Sequence, residues 1–147
     1  MSPAFQDSTL LHLTAFDAED LAVISAQMQD AVIRFGDVKY MIRQRQFVLV
    51  ANRFAWDALP DKQRRRAGLQ IVDITGVKRQ GPPSLTPDAI LSLLSITFSG
   101  DDDALRGTLT LSFSGGHVFA LKVDCIDVHL DDLGPAWSTE TAPDHGA

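Results

Sequence analysis

The sequence predicts a single α+β domain in which a mainly antiparallel curved sheet or half-barrel carries one N-terminal helix and one short C-terminal helix. The chain has 147 residues, close to the commonest size of a domain with one core. Apolar and polar residues alternate at period two over several short segments, which is typical of half-buried strands. The links between these segments have the length of turns, which favours antiparallel pairing.

The N-terminal part is expected to contain a strand at residues 8–14, followed by the longer helix. Asp17 is a good N-cap, and the acidic residues after it suit the positive end of a helix dipole. Apolar residues then recur at helical spacing, which predicts a helix over about 18–30. The same stripe permits a longer helix to Gly36, whereas β-branched residues favour a strand from Val32. We expect the shorter helix.

A first hairpin is predicted around Gln44-Arg45. Apolar residues alternate on both sides of these two residues, and a turn there places all six on one face. The predicted pairs are Ile42 with Phe47, Tyr40 with Leu49, and Val38 with Ala51.

The middle of the chain is expected to begin with a polar, basic connection at residues 60–66. A strand is predicted over 69–78. Its apolar phase shifts after Ile71, which indicates a bulge or bend. Residues 81–83 break the regular structure, and another strand is expected over 94–98.

A second hairpin is predicted around Gly115-Gly116. A three-residue loop over 115–117 places every apolar residue of both strands on one face, whereas a two-residue turn separates them. One of the glycines should have a positive φ. The predicted pairs are Phe113 with Phe119, Leu111 with Leu121, and Leu109 with Val123.

The end of the domain is expected to be a short helix over 126–133, stopped at Gly134-Pro135. The domain is then 8–137, with flexible termini at 1–7 and 138–147. By analogy of architecture alone, a pleckstrin-homology-like barrel closed by this helix is one version of the fold.

Charge is unevenly distributed along a chain whose net charge is −6. Residues 39–79 carry ten basic and three acidic side chains, whereas residues 101–147 carry nine acidic and two basic ones. Either the two regions face each other in the fold or across a dimer, or the asymmetry indicates an anionic partner. No signal peptide or membrane-spanning run is visible, and a lone cysteine, Cys125, fits a cytoplasmic setting.

Motifs that carry chemistry are missing from the sequence. The four histidines lack the spacing of a zinc site, and Gly115-Gly116 is a hairpin turn instead of a phosphate loop. No Gly-x-Ser-x-Gly nucleophile elbow occurs. Cys125 is interpreted as a small buried hydrophobe. We therefore expect no metal and no cofactor.

The candidate binding residues fall in three segments. Arg64, Arg65 and Arg66 suit phosphates or carboxylates, although a solvated loop before a strand explains them more simply. Two further segments each end a regular element with a tryptophan, which usually caps a core and less often anchors an interface. Their candidate residues are Asn52, Arg53, Trp56 and Trp137.

Four stretches resemble a bacterial family of uncharacterised proteins of about this length, a domain of unknown function. They are 17–21, 29–32, Asn52-Arg53-Phe54, and 125–137 with its Asp-Leu-Gly-Pro-Ala-Trp end. The resemblance extends from Leu10 to Trp137. It implies a bacterial cytoplasmic protein and carries no activity.

The resulting hypothesis is a non-catalytic interaction or regulatory domain with a protein partner or a second copy. One alternative is a small-molecule-binding protein or minor hydrolase with a pocket near Asn52, Arg53 and Trp56. A second alternative is nucleic-acid or anion binding through Arg64–Arg66, which the acidic total charge disfavours for nucleic acid.

Overall fold

The computed structural model describes residues 10–54, 63–100, 106–134 and 137–138. In these ranges the chain forms one helix of more than one turn and eleven strands. In chain order they are β1 His12–Ala15, α1 Ala18–Met28, β2 Val32–Arg34, β3 Val38–Met41, β4 Gln46–Phe54, β5 Gln63–Ile71, β6 Ile74–Gln80, β7 Ile90–Gly100, β8 Gly107–Phe113, β9 Val118–Val123, β10 Val128–Asp132 and β11 Trp137–Ser138.

The strands form a single open sheet in which every pairing is antiparallel. Its order is β1-β10-β5-β4-β2-β7-β8-β9-β6, with β3 added beside β4 and β11 beside β5. The prediction of a mainly antiparallel α+β fold is therefore confirmed. The inner face of the sheet and the helix enclose one apolar core.

Helix α1 begins where the sequence predicts it. The Asp17 carboxylate accepts the Asp20 N–H at 2.7 Å, which satisfies an otherwise unpaired donor of the first turn. The helix lies mainly against β7 and β1, and the Ser25 hydroxyl accepts the backbone N–H of Ile96. It ends at Met28, and the chain enters β2 at Val32, so the shorter helix is confirmed.

In the first hairpin, five of the six apolar residues pack on the core as predicted, but the register is different. Tyr40 lies opposite Phe47 and Val38 opposite Leu49, two residues away from the predicted pairs. The turn takes in Ile42 and Arg45, with Arg45 at a φ of 57°, and Ile42 is 69% exposed. A shift of two residues returns every side chain to the same face, so alternation cannot distinguish the two registers.

The second hairpin also has a register shifted by two residues from the predicted one. Leu111 lies opposite Phe119 and Leu109 opposite Leu121, so the predicted pairs are wrong by two residues. The three-residue loop is Ser114–Gly116, and its two glycines have φ values of 77° and 81°. All six apolar side chains are buried, as predicted.

Two predictions for the middle of the chain need correction. The basic connection ends before Gln63, because Gln63–Ile71 is strand β5. The segment predicted as one strand over 69–78 forms two strands. The chain bends between them at Asp73, which has a φ of 59°, and β6 starts at Ile74. Alternating side chains continue into the arginine run, and pairing with β4 makes that run part of the sheet.

The predicted C-terminal helix is wrong, because Val128–Asp132 is strand β10 between β1 and β5. Val128 and Leu130 are buried while His129 between them is partly exposed, which is the period of a strand. The described sheet is open, so it gives no support to a pleckstrin-homology-like barrel closed by a terminal helix.

Candidate functional site

Strands β4 and β5 bring most of the predicted binding residues together. Asn52 lies opposite Arg66, Arg53 opposite Arg65, and Phe54 opposite Arg64, which also pairs with Trp137 of β11. Alternation then divides the group. Arg53 and Arg65 point into the protein, whereas Asn52, Arg64 and Arg66 lie on the outer face. Trp56 lies outside the described residues.

On the inner side, Arg53 forms a two-point ion pair with Asp132. Its Nε and Nη2 each donate to one carboxylate oxygen at 2.8 Å, and both side chains are fully buried. Arg53 Nη1 also donates to Gln27 Oε1 of α1 at 3.3 Å. Asp132 Oδ2 accepts the Leu11 N–H at 2.7 Å and lies 3.9 Å from Arg65 Nε.

This buried cluster joins β4, β5, β10, α1 and the segment before β1. Charges are expensive to bury unless they are paired and hydrogen-bonded, so the cluster is formed only when all these elements are in place. Arg53 and Arg65 are therefore structural. The interpretation of the arginine run as a solvated loop is wrong at Arg65, whose side chain is only 3% exposed.

On the outer side, the sheet carries an open cleft of about 410 Å³ between β2, β4, β5 and β7. Among the described residues, Arg66 makes no side-chain hydrogen bond or ion pair. The Oδ1 atom of Asn52 is buried without a hydrogen-bond partner. We call this the Asn52 cleft, and its lining residues are Val32, Arg34, Asp37, Val50, Ala51, Asn52, Arg66 and Ile90.

The other two arginines on this face are already held in place. Arg34 contacts the carboxylates of Asp37 and Asp88, each at 3.2 Å. Arg64 Nη1 donates to the Asn52 backbone oxygen at 3.2 Å, and its guanidinium carbon lies 5.9 Å from the centroid of the Phe54 ring. Arg66 is consequently the cation of the cleft that is available to a ligand.

Apolar side chains flank the cleft on both sides. Ile90 lines it and is 61% exposed. Leu133 is 55% exposed and lies over Gly68, the outward residue of β5 next to Arg66. A Cβ atom at Gly68 would meet Leu133 at 3.5 Å. The outer face therefore combines exposed apolar groups with a cation and an amide that lack partners among the residues described by the structure.

The uneven charge of the sequence is partly explained by the fold. Arg45 Nη2 donates to Asp124 at 2.5 Å, and Arg53 pairs with Asp132. Both pairs connect the basic middle of the chain with its acidic C-terminal part. Of the two explanations left open by the sequence, the structure shows that the regions face each other at these points.

Cys125 is partly buried, and its thiol donates to Asp73 Oδ2 at 3.1 Å. This hydrogen bond, together with burial and the neighbouring carboxylates, raises the pKa of the thiol to about 11. A thiol that stays protonated is a poor nucleophile at neutral pH. In the part of the chain that the structure describes, no group of three or more His, Cys, Asp or Glu side chains could hold a metal ion.

Sequence reasoning missed Asp132 as the partner of the arginines. The signal was present, because Val128, Leu130 and Asp132 occur at period two and a strand places the acid on the apolar face. A carboxylate there requires a buried cation. Arg34 and Ile90, in contrast, enter the cleft only through the pairing of β2 with β4 and β7, for which the sequence holds no local signal.

These features define a small α+β domain on one open antiparallel sheet, with a buried arginine–aspartate cluster beneath an outer cleft. The chain belongs to the family described as "Protein of unknown function (DUF2948)", whose model matches residues 11–145. No curated protein and no solved structure is significantly similar to it. Within the described residues, no helix is long and apolar enough to cross a membrane.

Proposed function

We propose that this protein is a non-catalytic interaction domain that binds an acidic, partly apolar segment of a partner protein in the Asn52 cleft. The observation that carries the proposal is the pairing of two unsatisfied groups opposite each other on β4 and β5. Within the described parts of the chain, the Arg66 guanidinium has no partner and the buried amide oxygen of Asn52 has no donor. Buried polar atoms in native proteins nearly always have a partner, so a ligand or water is expected beside Asn52.

A peptide satisfies both groups at once. The Arg66 guanidinium suits an Asp or Glu carboxylate, which it contacts through two parallel hydrogen bonds. A backbone N–H of the same segment donates to Asn52 Oδ1. Apolar side chains next to the acid then pack on Ile90 and Leu133, which water otherwise covers. We place this interaction in the cytoplasm of a bacterium, with a different protein or a second copy of the chain as partner.

A small carboxylic acid is the second candidate, because a cleft of about 410 Å³ also falls within the range of small-molecule sites. The pocket expected from the sequence combined Asn52 with Arg53 and Trp56. Arg53 faces the core, and Trp56 lies outside the described residues. The geometry favours a peptide because the apolar residues extend along the surface beyond the cleft.

Nucleic-acid binding through Arg64–Arg66 has less support. Consecutive strand residues face opposite sides, so the three arginines cannot contact one phosphate backbone together. Arg65 is buried beside Asp132, and Arg64 is hydrogen-bonded to Asn52. Of this run, Arg66 is the one that makes no side-chain hydrogen bond or ion pair with any residue that the structure describes.

The test is a comparison of three tagged proteins in the native host: wild type, Arg66→Glu, and Lys39→Glu as a matched charge reversal on exposed β3. Co-purifying proteins and metabolites are identified by mass spectrometry. We expect one protein to be captured by wild type and by the Lys39 variant but not by Arg66→Glu. A peptide from its acidic segment should then shift the amide signals of Asn52 and Arg66.

Two outcomes contradict the proposal. If Arg66→Glu captures the same proteins as wild type, the Asn52 cleft is not the interface. If Arg66→Glu instead loses a metabolite while its protein partners are unchanged, the cleft binds a small acid. Circular dichroism of each variant excludes misfolding as the cause.

A further inference from the structure

The outer face of the second half of the sheet, formed by β6, β7, β8 and β9, differs chemically from the rest of the protein. These four strands contain no Asp or Glu, although the chain as a whole has a net charge of −6. Alternation and register place small hydroxyl side chains side by side on this face. They are Ser95, Thr97, Ser99, Thr108, Thr110 and Ser112.

Two lysines complete this hydroxyl-rich face. Lys122 of β9 lies between Thr108 and Gly76, and Lys78 of β6 lies opposite Ala120. The two lysines thus occupy diagonal positions, which are typically about 7–8 Å apart in a sheet. Neither lysine forms an ion pair within the described residues. Because no acidic strand residue offsets their repulsion, an anion between them would be favourable.

Two adjoining clefts lie on this face, with volumes of about 410 and 390 Å³. They share Thr75, Thr108 and Lys122. Arg106 lines the first cleft and Lys78 the second. We call them together the Lys122 clefts.

We propose that the Lys122 clefts bind a phosphate group, as a free phosphomonoester or as the headgroup of an anionic lipid. Lysine supplies up to three donors, arginine a planar fork, and each hydroxyl one rotatable donor. A tetrahedral phosphate has enough acceptor oxygens to use donors from several directions, whereas a carboxylate has only two oxygens. A phosphomonoester also carries a charge close to −2 at neutral pH, which matches a pair of cations.

The site is independent of the Asn52 cleft, because the two share no lining residue, although β7 contributes to both. The remaining cation of these strands, Arg79, belongs to neither cleft. Its Nη2 donates to the Pro82 oxygen at 2.9 Å, and its guanidinium carbon lies 5.9 Å from the Phe35 ring centroid. The proposals for the Asn52 cleft and for the Lys122 clefts can therefore be tested and rejected separately.

Gly76 offers a way to close the second cleft without removing a charge. A Cβ atom built there has no neighbouring heavy atom within 4 Å, so a larger side chain occupies open space. Valine also suits a strand. Gly76→Val should fold normally and fill the space beside Lys78 and Lys122 while keeping both charges. Weaker binding by this variant would therefore show that the shape of the cleft matters, and not only its positive charge.

The experiment titrates four proteins at constant ionic strength, because screening changes such affinities. The proteins are wild type, Lys122→Gln, Gly76→Val, and Lys39→Gln as a charge-matched control. The probes are inorganic phosphate, glycerol phosphate, and phosphatidylcholine vesicles with or without phosphatidic acid. Amide chemical shifts report binding of the soluble probes, and sedimentation reports binding to vesicles.

We expect amide shifts at Thr75, Lys78, Thr108 and Lys122 in wild type and in the Lys39 variant. Affinity should be weaker by about 10-fold or more in Lys122→Gln and Gly76→Val. Binding of glycerol phosphate identifies a soluble phosphomonoester as the ligand. Binding confined to vesicles with phosphatidic acid, with the same dependence on the variants, identifies a lipid headgroup. The proposal is overturned if no probe binds, or if all four proteins bind equally.

Discussion

Arg65 and Arg66 are neighbours in the sequence but belong to opposite surfaces of the same sheet. Arg65 is buried beside the Arg53–Asp132 pair, whereas Arg66 is exposed at the Asn52 cleft. The strand that pairs with them shows the same division, since Arg53 is buried and Asn52 lines the cleft. Position on a strand thus decides which of two chemically identical side chains is buried in the charge cluster and which lies at the cleft.

The largest expected effect tests the inner side. Asp132→Ala leaves Arg53 buried without its carboxylate, and breaking a buried ion pair in this way costs about 3–5 kcal/mol. Urea unfolding measures the loss. Asp131→Ala is the matched control, because Asp131 lies on the outer face of β10 in an exposed pair with His12, and we expect a change of about 0–1 kcal/mol there. Equal losses for the two variants would contradict the buried cluster.

A smaller effect is expected from the two neighbouring arginines. Arg65→Ser removes a buried cation and its packing and should destabilise the protein by about 2 kcal/mol or more. Arg66→Ser should stay within about 0.5 kcal/mol, as is usual on a surface. A solvated loop, which is the simpler interpretation of the sequence, predicts little change for both variants, so their unfolding curves decide between the loop and the strand. A stable Arg65→Ser protein would support the loop.

Cys125 is partly buried, and it therefore lies between the fully buried Arg53–Asp132 pair and the exposed Arg66 in the comparison of polar side chains. With its pKa raised from 9.0 to about 11, the native thiol at pH 8 should react with iodoacetamide ~100-fold more slowly than an unperturbed one. Asp73→Asn should accelerate the reaction, because it removes the carboxylate that accepts the thiol hydrogen bond. Mass spectrometry measures both rates, and equal rates in the two proteins would refute the role of Asp73.

The raised pKa of Cys125 also sets the sign of a pH effect on stability. The unfolded chain loses the thiol proton near pH 9 while the native protein keeps it to about pH 11. The native state therefore binds more protons in this window, and the contribution of Cys125 to the free energy of unfolding falls as pH rises through it. Cys125→Ser should remove this part of the alkaline decline.

Sequence patterns predicted local features well where one physical rule governed them. The N-cap at Asp17, the buried face of the second hairpin and the positive φ values at Gly115 and Gly116 follow from capping, alternation and backbone sterics. The C-terminal segment shows where such rules conflict. Residues 126–133 were assigned to a helix, although their period-two pattern fitted the strand between β1 and β5 that the structure contains.

Taken by itself, the sequence determined which side of most strands is apolar and therefore most of the core, because alternate side chains of a strand face opposite sides of the sheet. It also separated basic and acidic regions along the chain. Only the tertiary structure decided the exact register, the partner of each buried charge and the residues that share a cleft. Those depend on pairings such as β2 with β7 and β10 with β5. Such pairings join segments far apart in sequence, and no local pattern of residues encodes them.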